Sequence, residues 1–246
     1  MPRNWQGQLV RFSLFPTAAV DIAAFDHVWD SMIVDQPEVD ERKPREQARR
    51  QAGIYANGIA IEVQMSPARL DVIFRPAMHG PDVPDGFGSF APLFQEVAQK
   101  FGVWLATVNF DLGRLAIGTV VTEPADSRID SYRTILNLTK SLRLDLDTPV
   151  SDLIFQINHP VQSDVVAGLT INRLMKFTSL LKASVTITLN PDAPSAIQTA
   201  APPKSFSVLD LDVNSAPGVT LPRASLGNVM TELVQHTLWL NENGEP

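Results

Sequence analysis

The chain of 246 residues contains no cysteine. That absence excludes a disulfide framework, a thiolate zinc site and a cysteine nucleophile. It fits a reducing compartment, and a cytoplasmic location is expected. Histidine is scarce, at four residues, and no two stand two or four apart, so H-E-x-x-H and related metal patterns are missing. No apolar run approaches the roughly 20 residues of a membrane span. The opening MPRNWQGQLVRF lacks the apolar centre of a signal peptide, so a soluble, non-exported chain is expected, with no membrane partner. Basic residues number 20 against 27 acidic ones, and a net charge of −7 argues against a dominant nucleic-acid surface. Neither a G-x-S-x-G elbow nor a Walker or dinucleotide fingerprint is present.

What is there is ordinary globular composition, 44% hydrophobic and 19% charged, at a length that buries a sizeable core. QLVRFSLF alternates Val10, Phe12 and Leu14 with polar residues and predicts a strand ending at Pro16. Val20, Ala24, Val28 and Met32 recur every four residues and predict a helix over 18–33. Residues 35–53 carry Val39 as their one large apolar side chain and read as an exposed arm. Alternation over 59–65 and 70–74 about SPAR predicts a hairpin. A Gly- and Pro-rich loop leads to a helix over about 91–101, and a second hairpin is expected over 103–122, turning at Asp111-Leu112-Gly113.

Ser127, with Asp130 three residues on, caps a predicted helix over about 126–147. Strands follow in DLIFQIN, GLTINRLMKF and KASVTITLN. NPDAPSAIQTAAPPK, with four prolines, reads as a mobile linker before a last strand, FSVLDLDVN, and a last helix, RASLGNVMTELVQHTLWLN. Strands arriving in hairpins point to α+β with mostly antiparallel sheets. The layout suggests an N-terminal strand-helix-hairpin lobe over 1–125, a connecting helix over 126–147 and a C-terminal strand-rich lobe over 148–246. No sequence repeat proves a duplication.

The tetrapeptide LDLD occurs twice, at 144–147 and 209–212. At the first, two carboxylates at the negative end of a helix are disfavoured, so Asp145 and Asp147 are expected in an exit loop. At the second, Asp210, Asp212 and Asn214 alternate with Leu209, Leu211 and Val213. The solvated side of a strand explains them; a calcium loop would need a glycine turn and a distant glutamate. FSVLDLDV followed by ASLGNVMTELVQHTLWLNE resembles the close of a sporadically distributed family of uncharacterised bacterial α+β proteins. There, a strand of this type precedes an amphipathic helix with a leucine-histidine or similar pair. Gln235-His236 and Trp239 occupy that stretch here, without a phenylalanine-rich tail. The resemblance covers about 206–242 and implies an α+β fold; it implies no activity.

The strongest charge feature is the arm carrying Arg42, Lys43, Arg45, Arg49 and Arg50 against Glu46. It reads as a solvated short helix balanced by Glu38, Asp40 and Glu41, or as a docking arm for an acidic partner or a nucleic-acid backbone. Arg173 falls on the apolar register of Leu169, Ile171, Met175 and Phe177. Either the strand bulges there, or the arginine meets an acid or anion. His159 precedes Pro160 at a strand end, a position where active residues often sit. His27 and His236 read as flanking surface residues of helices. Gly86 and Gly88 before a helix suit a turn or an anion at its N-terminus.

No cofactor or metal is expected, and no catalytic residue is assigned. The leading expectation is a non-enzymatic interaction protein, a bacterial accessory or regulatory subunit, with a defence or toxin–antitoxin module as one setting. An enzyme for an anionic or phosphorylated small molecule is the alternative, with Arg173, His159 and the 86–89 loop in one cleft. A nucleic-acid binder through residues 42–50 is the third. A homodimer is also expected from Thr170, Ser184, Thr186 and Thr188, which leave sheet faces without strong charge protection.

Overall fold

A computed structural model describes residues 3–33, 35–56, 58–77, 86–182, 185–189, 196–200 and 203–246; for 185–189 and 196–200 it describes the backbone alone. The alternation of Val10, Phe12 and Leu14 produces β1 (Gln6–Pro16), and all three side chains are fully buried. A short 3-10 turn at Ile22–Phe25 and a five-residue helix, α1 (Val28–Met32), follow in place of the expected long helix. His27 separates them with a left-handed φ of 68°, which lets Phe25 pack edge-on against Phe110 while Trp29 reaches Gly53.

The charged arm is two strands rather than a helix: β2 (Val39–Lys43) and β3 (Ala48–Ala56), joined through Pro44–Glu46. β4 (Ile59–Ser66) and β5 (Arg69–Pro76) form the hairpin expected about SPAR. Helix α2 (Phe90–Leu105) runs past its expected end, so the second hairpin is absent and only β6 (Leu112–Ala125) follows. Phe94, Val97, Phe101, Trp104 and Leu105 are all buried along α2, a helical spacing that overrides the strand propensity of VWLATV.

Helix α3 (Arg128–Leu138) starts at the Ser127 cap, whose hydroxyl accepts from Asp130 N at 3.1 Å. It ends well before 147, and both aspartates of the first LDLD lie in the exit loop, where Asp145 Oδ1 accepts from Asp147 N. Then come β7 (Ile154–Asn158), β8 (Val161–Gln162), β9 (Thr170–Lys182), β10 (Val185–Leu189), β11 (Ala196–Ala200), β12 (Lys204–Ser215) and α4 (Leu226–Asn243). Part of the expected linker is therefore β11, paired antiparallel with β10; residues 190–195 and 201–202 lie outside the described residues.

Among the described residues the main sheet has ten strands in the order β2-β3-β4-β5-β1-β6-β12-β9-β7, with β8 also on β9, and every pairing is antiparallel. The architecture is α+β. β1 leads through α1 into a meander whose last strand, β5, returns beside β1, and α2 follows. β6 leads through α3 into a second meander whose last strand, β12, returns beside β6, and α4 follows. Apart from β8 and the separate β10–β11 pair, the chain repeats one strand order about the β1–β6 pair, without a repeat in sequence. The two stretches meet at that strand pairing, and α3 packs chiefly on β6, β9 and β12.

Helices cover the face that carries the alternating apolar residues. Phe12 stacks on Phe101 at 4.7 Å and Phe94 at 6.2 Å and meets Phe74 edge-on at 6.5 Å, so truncating it to alanine should cost about 3–5 kcal/mol. On the second half, the Ser131 hydroxyl of α3 is within 3.0 Å of Phe206 O and of Ser179 Oγ, a polar seam between helix and strands.

Candidate functional site

Alternation places the odd-numbered residues Arg11, Ser13 and Phe15 of β1 on the sheet face away from the helices. The cross-strand register adds Arg69, Asp71, Ile73 and Arg75 of β5, Glu62 and Gln64 of β4, and Arg50 of β3. On the other side of the β1–β6 pair it adds Arg114 and Gly118 of β6, Asp210 and Asp212 of β12, and Lys176 of β9. The two aspartates of the second LDLD therefore lie on the open face and its leucines in the core, as the alternation implies.

A cleft of about 470 Å³ opens on this face over β2–β5 and β1. Five basic residues line it (Arg11, Lys43, Arg49, Arg50 and Arg69) with three acidic ones (Glu41, Glu46 and Asp71). Glu62, almost fully buried beside it, accepts from Arg50 Nε at 2.7 Å, Arg75 Nη2 at 2.7 Å and Gln64 Nε2 at 2.8 Å. The Arg50 hydrogen bond leads the contacts that hold the Glu62 carboxyl below its usual range against the opposing effect of burial. Asp71, also buried, accepts from Ser13 Oγ at 2.5 Å and from Arg69 Nη2 at 2.9 Å. The guanidinium groups of Arg69 and Arg114 both approach the Phe15 ring, at 5.1 and 5.2 Å.

Arg69 and Arg114 each lie within ion-pair distance of an aspartate, and Arg11 has no carboxylate that close among the described residues. The Arg11 guanidinium lies across Gly118, where a Cβ would stand 3.1 Å from Nη2 and 3.3 Å from Nε. Its Nε is buried without a hydrogen-bond acceptor among the described residues, as are those of Arg69 and Arg114. Leaving such a donor unmet costs about 1–3 kcal/mol. Asp210 acts on Arg11 through space without an ion-pair contact.

The arm's charges are largely satisfied within the fold. Arg49 donates to Asp40 at 2.9 and 2.6 Å and to Asp26 at 3.2 Å; Lys43 lies 3.7 Å from Glu46; Arg50 holds Glu62 and approaches Glu41 at 3.6 Å. Arg42 acts on Asp40 through space, and Arg45 is exposed in the turn. The structure thus brings Lys43, Arg49 and Arg50 to the cleft with Arg11 and Arg69, which the sequence pattern does not single out because one arginine within a strand reads as its wet side.

Arg173 and His159 come together elsewhere, on the helix side of β9. The ladder is regular through Arg173, with no bulge. Its Nε donates to His159 O at 2.8 Å, and burial pushes the guanidinium below its usual range. His159 Nε2 lies 3.0 Å from Glu245 Oε1, and Glu245 also receives the hydroxyl of Ser141. Serine and histidine both turn to the one carboxylate, so the histidine does not stand between nucleophile and acid as a general base must. Glu245 had no local signal; it is a lone carboxylate beyond a helix.

The 86–89 loop is not part of that cluster. Phe87 N donates to Gly7 O at 2.9 Å, and Phe90 N, at the start of α2, donates to Trp5 O at 3.1 Å. Gly7 faces Val121 at one end of β6, whereas Arg173 faces Val213, which pairs with Ile117. His27 is exposed, His236 is half-buried in α4, and His79 and Ser184 lie outside the described residues. Thr170 accepts from Gln162 Nε2 at 3.2 Å, and for Thr186 and Thr188 of β10 the backbone alone is described. No described helix is long and apolar enough to cross a membrane, and the described residues hold no cluster of three or more potential metal ligands. No protein-family model, curated protein or solved structure matches the chain.

Proposed function

We propose that this protein is a non-enzymatic interaction subunit that receives a protein partner across the open face of its main sheet. The observation that carries this reading is the arrangement of that face. Helices pack on one side of the sheet, while the other presents a cleft whose arginines are pre-positioned by buried acids. Pre-ordered guanidinium groups lower the cost of binding, because their side-chain entropy is already lost. Separation of the 86–89 loop from Arg173 and His159 weighs against the enzyme alternative, and ion pairing within the arm weighs against the nucleic-acid alternative. The absence of a catalytic signature and the charged arm support a bacterial accessory or regulatory role, with a defence or toxin–antitoxin module as one setting, and the lack of cysteine supports a cytoplasmic location. The test is affinity purification from native cells, repeated with Arg75→Glu on the open face. A stoichiometric protein partner lost in that variant is the expected result; a partner retained at full yield overturns the open-face assignment.

A homodimer is the second reading, carried by β7. This strand ends the sheet and has no charged residue, whereas β2 at the opposite end has four charged residues of five. Charged edges resist strand addition and uncharged ones permit it. Ile154 of β7 is 66% exposed, and Leu180 and Leu181 at the end of the adjoining β9 are exposed as well. Antiparallel pairing of two β7 strands about Gln156 would set no like charges opposite each other. Sedimentation at high concentration should show a dimer that Gln156→Lys dissociates; a monomer, or a dimer indifferent to that change, removes this reading.

A further inference from the structure

We infer that the cleft on the open face is an oxyanion-binding site in which Arg11 is the anchoring residue. The inference rests on the reading of this face as the binding face and names the chemical group it receives. Of the basic residues around the cleft, Arg49, Arg50, Arg69 and Lys43 already hold carboxylates. Arg11 holds none among the described residues, although it occupies the middle of the sheet and its Nε is buried without an acceptor.

Gly118 leaves room for that position. A Cβ there would press on the guanidinium and shift it by a few tenths of an ångström, so the glycine works as a seat for Arg11. A planar guanidinium held flat offers paired donors to a carboxylate or phosphate, the geometry in which arginine recognises oxyanions best. The surrounding pairs matter too. Asp71 and Glu62 are buried and taken up by their own partners, so they fix the neighbouring arginines while turning little negative charge toward the opening. Basic residues exceed acidic ones along the cleft in a chain whose overall charge is −7, so the local field favours an anion. Asp210, across β6, is the acid that an incoming oxyanion would have to outcompete for Arg11.

The oxyanion has two possible sources, a glutamate or aspartate of a partner protein or a phosphorylated small molecule. Side-chain Nε–Hε resonances of the arginines separate them, followed during titration with sodium phosphate and, independently, with a hexaglutamate peptide at constant ionic strength. The expected result is a saturable shift of the Arg11 signal, with affinity at least tenfold weaker in Arg11→Gln and in Gly118→Ala and unchanged in Arg45→Gln. Thermal melting of each variant checks that it folds, and Arg11→Gln decides the matter if Gly118→Ala does not fold. Tighter binding of the peptide assigns the oxyanion to a protein, and tighter binding of phosphate assigns it to a small molecule. No saturable shift of Arg11, or affinity that Arg11→Gln leaves within twofold, overturns the inference. A native partner captured equally well by Arg11→Gln would sink the anchoring role and leave the open-face reading standing; phosphate binding without any captured partner would do the reverse.

Discussion

Glu245 fastens the segment after α4 to the end of α3: its carboxylate accepts from Lys140 N at 2.6 Å and Ser141 N at 2.8 Å, while its own amide donates to Leu138 O at 2.7 Å. Two backbone donors beyond the end of α3 thus find their acceptor more than 100 residues away in sequence. His159 joins the same carboxylate from the β7–β8 side, so one buried glutamate ties helix, strand edge and chain end together.

This contact makes stability depend on pH in a defined window. Burial by itself would raise the Glu245 carboxyl, but hydrogen bonds from Ser141, His159 and Lys140 outweigh it and hold the group down at about 2. A carboxyl held below its unfolded value stabilises fully above that value, near 4.3, and the stabilisation is lost as pH falls toward about 2. Unfolding free energies from denaturant titrations of the native chain and Glu245→Gln should differ by about 1–3 kcal/mol at pH 7. The difference should shrink between roughly pH 4.5 and 2. An equal gap at both ends of that range would show that the charge of Glu245 is not what matters.

Gly244 supports the same junction. It has φ of +73°, and a Cβ there would meet the carbonyl of Leu138, a backbone atom that cannot give way. Gly244→Ala should therefore cost more than the ~1 kcal/mol typical of an unfavourable left-handed alanine. A melting temperature unchanged from the native chain would contradict this geometry.

Ser127→Ala removes the cap of α3 and should cost about 1 kcal/mol in chemical denaturation. Asp130 is tied to the same hydroxyl, which lowers its carboxyl with help from Arg133. Ser127→Asp, which keeps an acceptor at the cap but sets a second acid beside Asp130, should recover only part of the loss. Full recovery would mean that the Ser127–Asp130 bond contributes nothing.

Glu62→Gln tests the frame of the cleft. The substitution leaves Arg50 and Arg75 facing a neutral amide at a buried position and should destabilise by about 1–3 kcal/mol. Because Arg11 and not Arg50 or Arg75 is the anchor, phosphate binding in the cleft should persist, weakened at most by the lost ordering of those two arginines. Loss of binding together with unchanged stability would mean that Glu62 serves the ligand rather than the frame.

Arg173→Met should change stability by less than about 1 kcal/mol, since methionine fills the same half-buried path and the guanidinium has one hydrogen bond to a backbone carbonyl. A loss well beyond that, measured by urea titration, would point to an acidic partner for Arg173 beyond those described.

Much of the sheet was legible because its signal is local. Val10, Phe12 and Leu14, the SPAR turn and the Leu209–Val213 alternation each declare a face within a few residues, and Ser127 declares a helix start. The misreadings fall where two local signals compete. VWLATV has strand propensity, but Trp104 and Leu105 complete a helical stripe that begins at Phe90. The arm's charges suggested a helix, yet Arg49 pairs with Asp40 across a strand register that no i, i+4 pattern encodes. The candidate site was hardest of all. Arg11 looks like any polar residue in an alternating strand, and nothing near it in sequence points to Gly118.

The sequence by itself determined the elements that rest on short-range periodicity, the exclusion of thiol chemistry and the acidic balance of the chain. Tertiary structure alone decided that two dissimilar stretches repeat one strand order about β1 and β6. It alone matched Glu245 with α3 and seated Arg11 on Gly118 beside a cleft of paired arginines. The reason is physical. Periodicity reports which way a side chain faces, whereas a partner is chosen by strand register and helix packing, and these bring together residues more than 100 positions apart.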